Sequence, residues 1–254
     1  MKLLPSWIWI CLLSSGLAHA ETLHAGTAPW RPFAFYDQQH QLQGIAVDIA
    51  RELAQRTQNQ LQLELYPAKR LNQLFDTRQL DINIADSPLW NPQLTPTPIR
   101  FTRRYMEIRE YLYFARDHAV KAQRVDELKD LDIGLILGYA YPKLESLFVS
   151  GQLRKHEYAD EETLLKLLQR HRLDAIVMDD VLFNHLVQQN PQLAHQYQQG
   201  LQLSTAPLAL KLHSSDDQLT QQLDAALLQM EQEQVIQQII QRYIGPDSAS
   251  PMVR

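Results

Sequence analysis

The chain has 254 residues, with 24 Lys and Arg against 29 Asp and Glu, which gives a formal net charge of −5. A hydrophobic content of 45% and a charged content of 21% are ordinary for a globular protein, so a disordered chain, a collagen-like chain and a polytopic membrane protein are excluded. The acidic balance, without a run of basic residues, argues against a nucleic-acid partner. The length predicts one large domain or two modest ones.

The N-terminus has the pattern of a secretory signal peptide. Lys2 precedes a mostly apolar stretch over residues 3–17, and Ala-His-Ala at 18–20 is a small-x-small cleavage signature. An apolar run of about 15 residues is short for a bilayer span, which needs about 20. An uncleaved anchor and a lipoprotein signal that uses Cys11 are the alternatives. We predict cleavage after Ala20 and a periplasmic protein without disulfides, because Cys11 is the single cysteine.

The first half of the remaining chain predicts alternating helices and strands. Apolar residues recur at helix spacing over 45–53 and alternate with polar residues over 61–65, which is typical of a strand. A short helix over 71–75 and a buried-type strand over 81–85 follow, and this order favours a parallel sheet. Several prolines within 87–98 predict a loop there.

The second half repeats this pattern after a strand over 111–114. We predict further strands over 132–137 and 174–178, helices over 160–171 and up to about Gln189, an extended segment over 206–211, and a long amphipathic helical region over 216–243. In both halves an apolar-faced helix ends in a polar turn and Leu-Asp leads into a strand, at 76–85 and 169–178. This weak repeat predicts two similar α/β lobes. Residues 246–254 are predicted to be a frayed tail.

The chain from Glu21 onwards lacks the common catalytic motifs. It contains no G-x-S-x-G elbow, no H-E-x-x-H pair, no phosphate-binding loop and no cysteine, and its histidines are scattered. We therefore predict no catalytic residue, no metal site and no cofactor.

Two segments indicate either structure or ligand contact. Asp179 and Asp180 follow a strand and open a helix, so they are either helix caps or ligand contacts at a strand end. Pro-Trp-Arg-Pro-Phe at 29–33 ends the first strand, and its aromatic residues are either loop packing or a flat wall for a small molecule.

Taken in order along the chain, these segments resemble those of bacterial periplasmic solute-binding proteins of family 3, the class that serves amino-acid ABC transporters. A further segment, Pro-Ala-Lys-Arg at 67–70, resembles a subgroup described only as transporter substrate-binding domain proteins. The segments that carry the resemblance are 29–33, 44–50, 71–74, 81–85, 101–105, 128–134, 138, 174–179, 207–211 and the long C-terminal helix.

The resemblance implies an α/β fold of the type II periplasmic binding protein kind. It implies two lobes, each a mixed sheet flanked by helices, which two hinge crossings join and which close on a ligand. We expect lobe 1 to comprise residues 21–113 plus 209–245 and lobe 2 residues 114–208, with the crossings near 111–117 and 203–211. The implied partners are a small-molecule ligand and an ABC transporter permease or a membrane receptor, and the implied oligomeric state is a monomer.

The resemblance also implies the ligand-binding residues. Trp30 matches the family's stacking aromatic, Asp86 and Ser87 fall where small polar residues contact the ligand, Gly138 to Tyr141 fall where a helix N-terminus receives a carboxylate, and Asp179 matches the carboxylate that pairs with an amino group. The expected ligand-binding set is Trp30, Phe33, Arg70, Asp86, Ser87, Gly138, Tyr139, Tyr141 and Asp179.

One departure from the family pattern concerns charge. The family's arginine that forks the ligand carboxylate is absent, because Gln93 or Thr95 stands at its place. Either another arginine, Arg31, Arg70 or Arg100, compensates, or Asp86 and Asp179 form an acidic cleft suited to an amine or another cation.

The function that follows is capture of a small polar solute, such as an amino acid or an amine, for delivery to an ABC transporter, without enzymatic activity. One alternative is a periplasmic sensor that signals to a membrane receptor by closing. The other is a dehydratase-like enzyme on the same scaffold, for which Asp86, Asp179 or Lys69 would supply the acid or base.

Overall fold

The structure is a computed structural model that describes residues 22–91 and 98–245. The predicted signal peptide (1–20), the predicted tail (246–254) and the positions of Gln93 and Thr95 lie outside the described residues. The described strands are β1 (Thr22–Thr27), β2 (Phe35–Tyr36), β3 (Leu42–Gln43), β4 (Gln60–Leu65), β5 (Ile82–Asp86), β6 (Ile99–Phe101), β7 (Met106–Ala115), β8 (Leu131–Ile136), β9 (Leu153–Tyr158), β10 (Ala175–Asp179) and β11 (Tyr197–His213). The described α-helices are α1 (Ile45–Arg56), α2 (Ala68–Asp76), α3 (Pro142–Val149), α4 (Glu161–Gln169), α5 (Asp180–Gln189), α6 (Leu193–Gln196), α7 (Asp217–Gln232) and α8 (Val235–Ile244).

A mixed sheet runs through the described residues in the order β4-β1-β5-β11-β7-β10-β8-β9, and β6 also pairs with β11. It contains two parallel blocks, a first block in which β1 pairs with β4 and β5 and a second block in which β8 pairs with β9 and β10. Helices connect the parallel strands, as parallel pairing requires. The predicted α/β class, with a mixed sheet and flanking helices, is confirmed.

The strands β5 and β10 are equivalent in the two blocks. Every residue of each strand is buried, as in parallel strands covered on both faces, and each strand ends in an aspartate, Asp86 in β5 and Asp179 in β10. This equivalence explains the Leu-Asp repeat in the sequence. It also places two carboxyl groups at the strand ends where α/β sheets bind ligands.

The long strands β7 and β11 join the two blocks. They pair antiparallel with each other, with register shifts between Gln199 and Ser204, and β11 reaches β5 from Ala209 onwards. β7 pairs with β10 from Glu110 onwards. Both strands are longer than the sequence predicts, since their polar residues interrupt the apolar pattern. The predicted lobe boundaries stay a prediction.

The core is apolar on the faces that the periodicity predicts. Ile45, Ile49 and Leu53 of α1 are each at most 1% exposed, and they belong to a cluster that also contains residues of α7 and α8. The helical region predicted over 216–243 is present, but as two helices instead of the one long C-terminal helix that the resemblance implied. Gln234 adopts a left-handed conformation with φ 61° and ends the continuous hydrogen bonding between α7 and α8.

The loop that contains Trp30 packs tightly against the start of α1, and Gly44 permits this close contact. The first amides of α1 have no partner within the helix, and the amides of Ile45 and Ala46 donate to the carbonyls of Pro32 and Phe33, each at 3.0 Å. Gly44 has φ +137°, and a Cβ at this position would lie 2.2 Å from the Phe33 carbonyl oxygen. No other residue fits this close approach without movement of the loop.

We therefore expect Gly44→Ala to lower the free energy of unfolding by roughly 2–4 kcal/mol, through backbone strain and overpacking together. Urea denaturation measures this change in the free energy of unfolding. Gly151→Ala is the matched control, because Gly151 also has a positive φ, +72°, but nothing lies within 4 Å of an added Cβ. Its cost should be about 1 kcal/mol. Equal costs for the two variants would contradict the close-approach explanation.

Candidate functional site

A cleft lies where the aspartate ends of β5 and β10 face each other. It contains a main chamber of about 110 Å³ and an inner chamber of about 40 Å³. Both chambers are lined by Trp30, Trp90, Glu110 and Tyr139. Asp86 lines the main chamber and Asp179 the inner one. The cleft thus draws residues from both parallel blocks and from β7.

Trp30 connects the two sides of this cleft. It follows β1 in the loop that Gly44 anchors, and its Nε1 donates a hydrogen bond of 2.9 Å to Asp179 Oδ2. The Trp30 ring packs against Phe33, with 4.1 Å between ring centroids, and meets Trp90 edge-on. Phe33 is fully buried behind Trp30 and does not line either chamber.

Asp179 is a helix cap whose second oxygen contacts Trp30. Its Oδ1 accepts a hydrogen bond of 2.8 Å from the amide of Leu182 in the first turn of α5. Burial raises the pKa of Asp179 to about 8; the hydrogen bonds from Leu182 and Trp30 oppose this rise, and the negative charges of Asp180 and Glu110 add to it. At neutral pH the group is therefore mostly protonated in this arrangement.

Asp86 forms a buried ion pair with Lys211, which the sequence analysis missed. The distance between Lys211 Nζ and Asp86 Oδ2 is 2.6 Å, and both residues are buried. The amide groups of Asn83 and Asn91 donate to Asp86 at 3.0 Å and 2.8 Å, and Asn91 Oδ1 accepts from Lys211. The pair is satisfied by its own partners, so Asp86 adds no net charge to the main chamber.

Glu110 and Glu161 place further carboxyl groups in the cleft, and the sequence analysis missed both. Glu110, in β7, accepts hydrogen bonds from the Ser204 hydroxyl and the Trp90 indole, while Glu161 stands at the start of α4 and lines the inner chamber. Burial raises the pKa of each carboxyl group, and in Glu110 the two hydrogen bonds counteract part of that rise.

The segment from Gly138 to Tyr141 follows β8 and leads into α3. Gly138 and Tyr139 line the main chamber, whereas Tyr141 lines the inner chamber and its hydroxyl accepts a 3.1 Å hydrogen bond from the Ile136 amide. Ser87 is fully buried, and its hydroxyl accepts from the Leu89 amide, which supports the short 3₁₀ turn over Pro88–Trp90.

The arginines considered as replacements lie away from the chambers. Arg70 is exposed on α2 and donates to Gln73, Arg100 pairs with Asp217 at 2.6 Å, and Arg31 lies over the Phe35 ring. Of the residues that the structure describes, no arginine lines the main or the inner chamber, and Lys211 is the cation present.

The structure thus brings together Trp30, Asp86, Gly138, Tyr139, Tyr141 and Asp179 in the cleft, and it leaves Phe33, Arg70 and Ser87 behind or beside it. Their roles in ligand binding stay a prediction. A signal for Lys211 does exist in the sequence, since a lysine within the apolar run 208–212 must find a partner when the strand is buried.

Neither a metal-binding cluster nor a membrane-spanning helix is present among the described residues. No group of three or more His, Cys, Asp or Glu side chains within residues 22–91 and 98–245 is placed to hold a metal ion. Over the same ranges, no helix has the length and apolar character needed to cross a membrane.

Solved structures share this fold. An ancestral arginine-binding protein bound to arginine superposes with a TM-score of 0.76 at 18% identity, covering 88% of this chain and 98% of that chain. An amino acid ABC transporter substrate-binding protein from Streptococcus pneumoniae, bound to L-arginine, gives 0.72 at 14% identity, with 88% and 94% covered. A histidine kinase sensor domain with similarity to periplasmic binding proteins gives 0.74 at 15% identity, with 89% and 97% covered. The predicted type II binding-protein fold is confirmed.

Sequence comparison gives the family. No curated protein matches the chain. The family model described as bacterial extracellular solute-binding proteins, family 3, matches residues 23–246, which is nearly all of the chain that follows the predicted signal peptide. This match agrees with the resemblance seen in the sequence segments and with the cleft between two parallel blocks. The chain belongs to the bacterial extracellular solute-binding proteins of family 3.

Proposed function

We propose that the protein binds a small, positively charged amine in the periplasm, in the main and inner chambers, and delivers it to an ABC transporter. One observation carries the choice of ligand class. Among the described residues that line the two chambers there are four carboxyl groups, those of Asp86, Glu110, Glu161 and Asp179, and one ammonium group, that of Lys211, which pairs with Asp86. This surplus of acidic groups favours a cation.

The pairing of Lys211 strengthens the argument. Its ammonium group already bonds to Asp86 and Asn91, so an incoming carboxylate would have to compete with a 2.6 Å ion pair. By contrast, Glu110, Glu161 and Asp179 have no cationic partner among the cleft-lining residues, and burial disfavours their ionised forms. A bound amine would supply the missing positive charge and favour ionisation.

The class of partner follows from the family. Family 3 proteins typically serve ABC transporters, and two of the similar structures hold arginine, which is itself a cation. These likenesses support the proposed ligand class and the proposed delivery. A sensor role is the alternative that the similar histidine kinase sensor domain keeps open. Co-purification of the tagged protein with a permease or with a receptor kinase from a detergent extract distinguishes the two.

A thermal-shift comparison of putrescine, L-arginine and L-glutamate tests the ligand class. A ligand at 100 times its Kd adds about 2.7 kcal/mol of stability, which corresponds to a rise in Tm of roughly 5–10 °C for a chain of this size. We expect such a rise with putrescine or L-arginine and none with L-glutamate.

Glu110→Gln should weaken binding of the active cation about tenfold or more, because it removes a charge that stabilises the bound amine. Glu145→Gln, on the exposed side of α3, is the matched control and should leave the Kd unchanged. A shift with L-glutamate alone would make the proposal wrong. Recovery of a chemically altered ligand by NMR would replace the binding protein with an enzyme.

A further inference from the structure

A third cavity, the side chamber, adjoins the main chamber and is not accounted for by a small polar ligand. It encloses about 90 Å³ and shares Trp90 and Glu110 with both other chambers. Its remaining walls come from the 3₁₀ turn, from the start of α3 and from β11. It is thus a continuation of the cleft beyond the Trp90 and Glu110 side chains.

The side chamber is apolar where the main chamber is polar. Leu89, Pro142, Leu144 and Leu203 form its wall, and Leu144 and Leu203 are 0% and 7% exposed. Tyr141 and the exposed Lys143 complete the lining. The Ser204 hydroxyl donates a hydrogen bond to the Glu110 carboxylate, so these two polar groups satisfy each other. Water in such a space finds few partners, so an apolar group would displace it favourably.

We propose that the ligand is an amine with an apolar tail, whose ammonium group lies at the Glu110 carboxylate and whose tail occupies the side chamber. This rests on the proposed function, because it names the substrate class for the same cleft. We assign the ammonium group to Glu110 because this residue lines all three chambers. A cation bound there lies between the polar main chamber and the apolar side chamber.

The size of the side chamber sets the length of the tail. Taking about 30 Å³ for one water-sized group, 90 Å³ accommodates about three such groups. Leu89, which is 49% exposed, stands at the wall of the side chamber, so a longer tail would pass it into solvent. Each methylene group that leaves water is expected to tighten the Kd about fourfold.

A homologous series of straight-chain primary amines, from methylamine to n-octylamine, tests the proposal by isothermal titration of the protein. The Kd should fall about fourfold per added methylene over about three successive members and then level off as the tail leaves the chamber. A Kd that is flat across the series would overturn the proposal, and so would one that falls without levelling, which indicates unspecific partition.

Leu89→Gln and Leu228→Gln form a matched pair of variants. Both leucines are largely exposed, at 49% and 41%, so neither substitution opens a cavity in the core. Leu89→Gln places an amide on the chamber wall and should reduce the gain in affinity from methylamine to n-butylamine at least threefold. Leu228→Gln, on α7, should leave that gain as it is. Equal effects of the two variants would contradict the proposed tail site.

Binding of L-arginine and putrescine tests the proposed amine-binding function independently of the proposed tail site. If either binds but the amine series shows no gain with length, the tail site is wrong and the proposed amine-binding function stands. If no cation binds at all, both are wrong. If the gain with length appears and disappears in Leu89→Gln, the side chamber is part of the ligand site.

Discussion

Replacing Lys211 with methionine is expected to lower the free energy of unfolding by about 3–5 kcal/mol. The substitution leaves the Asp86 carboxylate buried without its cation. Hydrogen bonds from the side-chain amides of Asn83 and Asn91 and from the backbone amide of Ser87 remain. An uncompensated buried charge costs more than the lost pair was worth, because the charge can no longer be solvated by water. Urea denaturation at pH 7 measures the loss.

Two further variants show whether the orphaned charge is the cause. Adding Asp86→Asn to Lys211→Met removes that charge, and the double variant should recover more than half of the lost stability. The matched control is Lys166→Met, which breaks the exposed pair of Lys166 with Glu162, also at 2.6 Å, and should cost about 0.3–0.5 kcal/mol. Similar costs for Lys211→Met and Lys166→Met would show that water reaches the Asp86 pair.

Local patterns account for most of the fold that could be predicted. The apolar spacing of Ile45, Ile49 and Leu53 gives the buried face of α1, and the short, mostly apolar runs give β5 and β10. The break at Gln234 was missed because glutamine has no special preference for a left-handed conformation, so nothing in its type marks a helix end. Strand β9 was missed because its residues are mostly polar and, among the described strands, it pairs with β8 alone at the sheet edge.

The site was predictable only where it coincides with strand ends. Asp86 and Asp179 stand directly after apolar runs, which points to a shared edge of the sheet. The contacts that decide their chemistry are distant in sequence, since 149 positions separate Trp30 from Asp179. Lys211 reaches Asp86 only because β11 folds back antiparallel on β5. The periodicity of apolar residues contains no information on such long-range contacts, so the charge balance of the cleft could be inferred only from the structure.

Stability should fall as pH rises from about 4 to about 8, in part because of Asp179. Its carboxyl group titrates near 3.9 in the unfolded chain, whereas burial raises its folded pKa to about 8. Within this window the unfolded chain binds fewer protons than the folded protein, so each step up in pH favours unfolding; below and above the window this contribution is constant. At 1.36 kcal/mol per pKa unit the full change is several kcal/mol.

Asp179→Asn isolates this contribution, because it keeps a helix-capping oxygen and removes the titration. Denaturation curves from pH 4 to pH 9 should show that wild-type stability falls relative to that of the variant as pH rises. The raised pKa values of Glu110 and Glu161 affect both proteins, so their contribution is removed when the two stabilities are subtracted. Trp30→Phe removes a hydrogen bond that lowers the pKa of Asp179, so it should move the upper edge of the window above pH 8. Parallel curves for wild type and Asp179→Asn would mean that Asp179 is already ionised in the folded protein.

The same proton connects stability to ligand binding. A bound ammonium group near the cleft carboxylates favours their ionised forms, so the proposed amine should lower the pKa of Asp179 and release a proton as it binds. Binding of the amine should accordingly strengthen as pH rises toward 8, and its calorimetric enthalpy should depend on the ionisation enthalpy of the buffer. Asp179→Asn should remove part of that buffer dependence. A Kd independent of pH between 6 and 8, with no proton released, would place the cation away from these carboxyl groups.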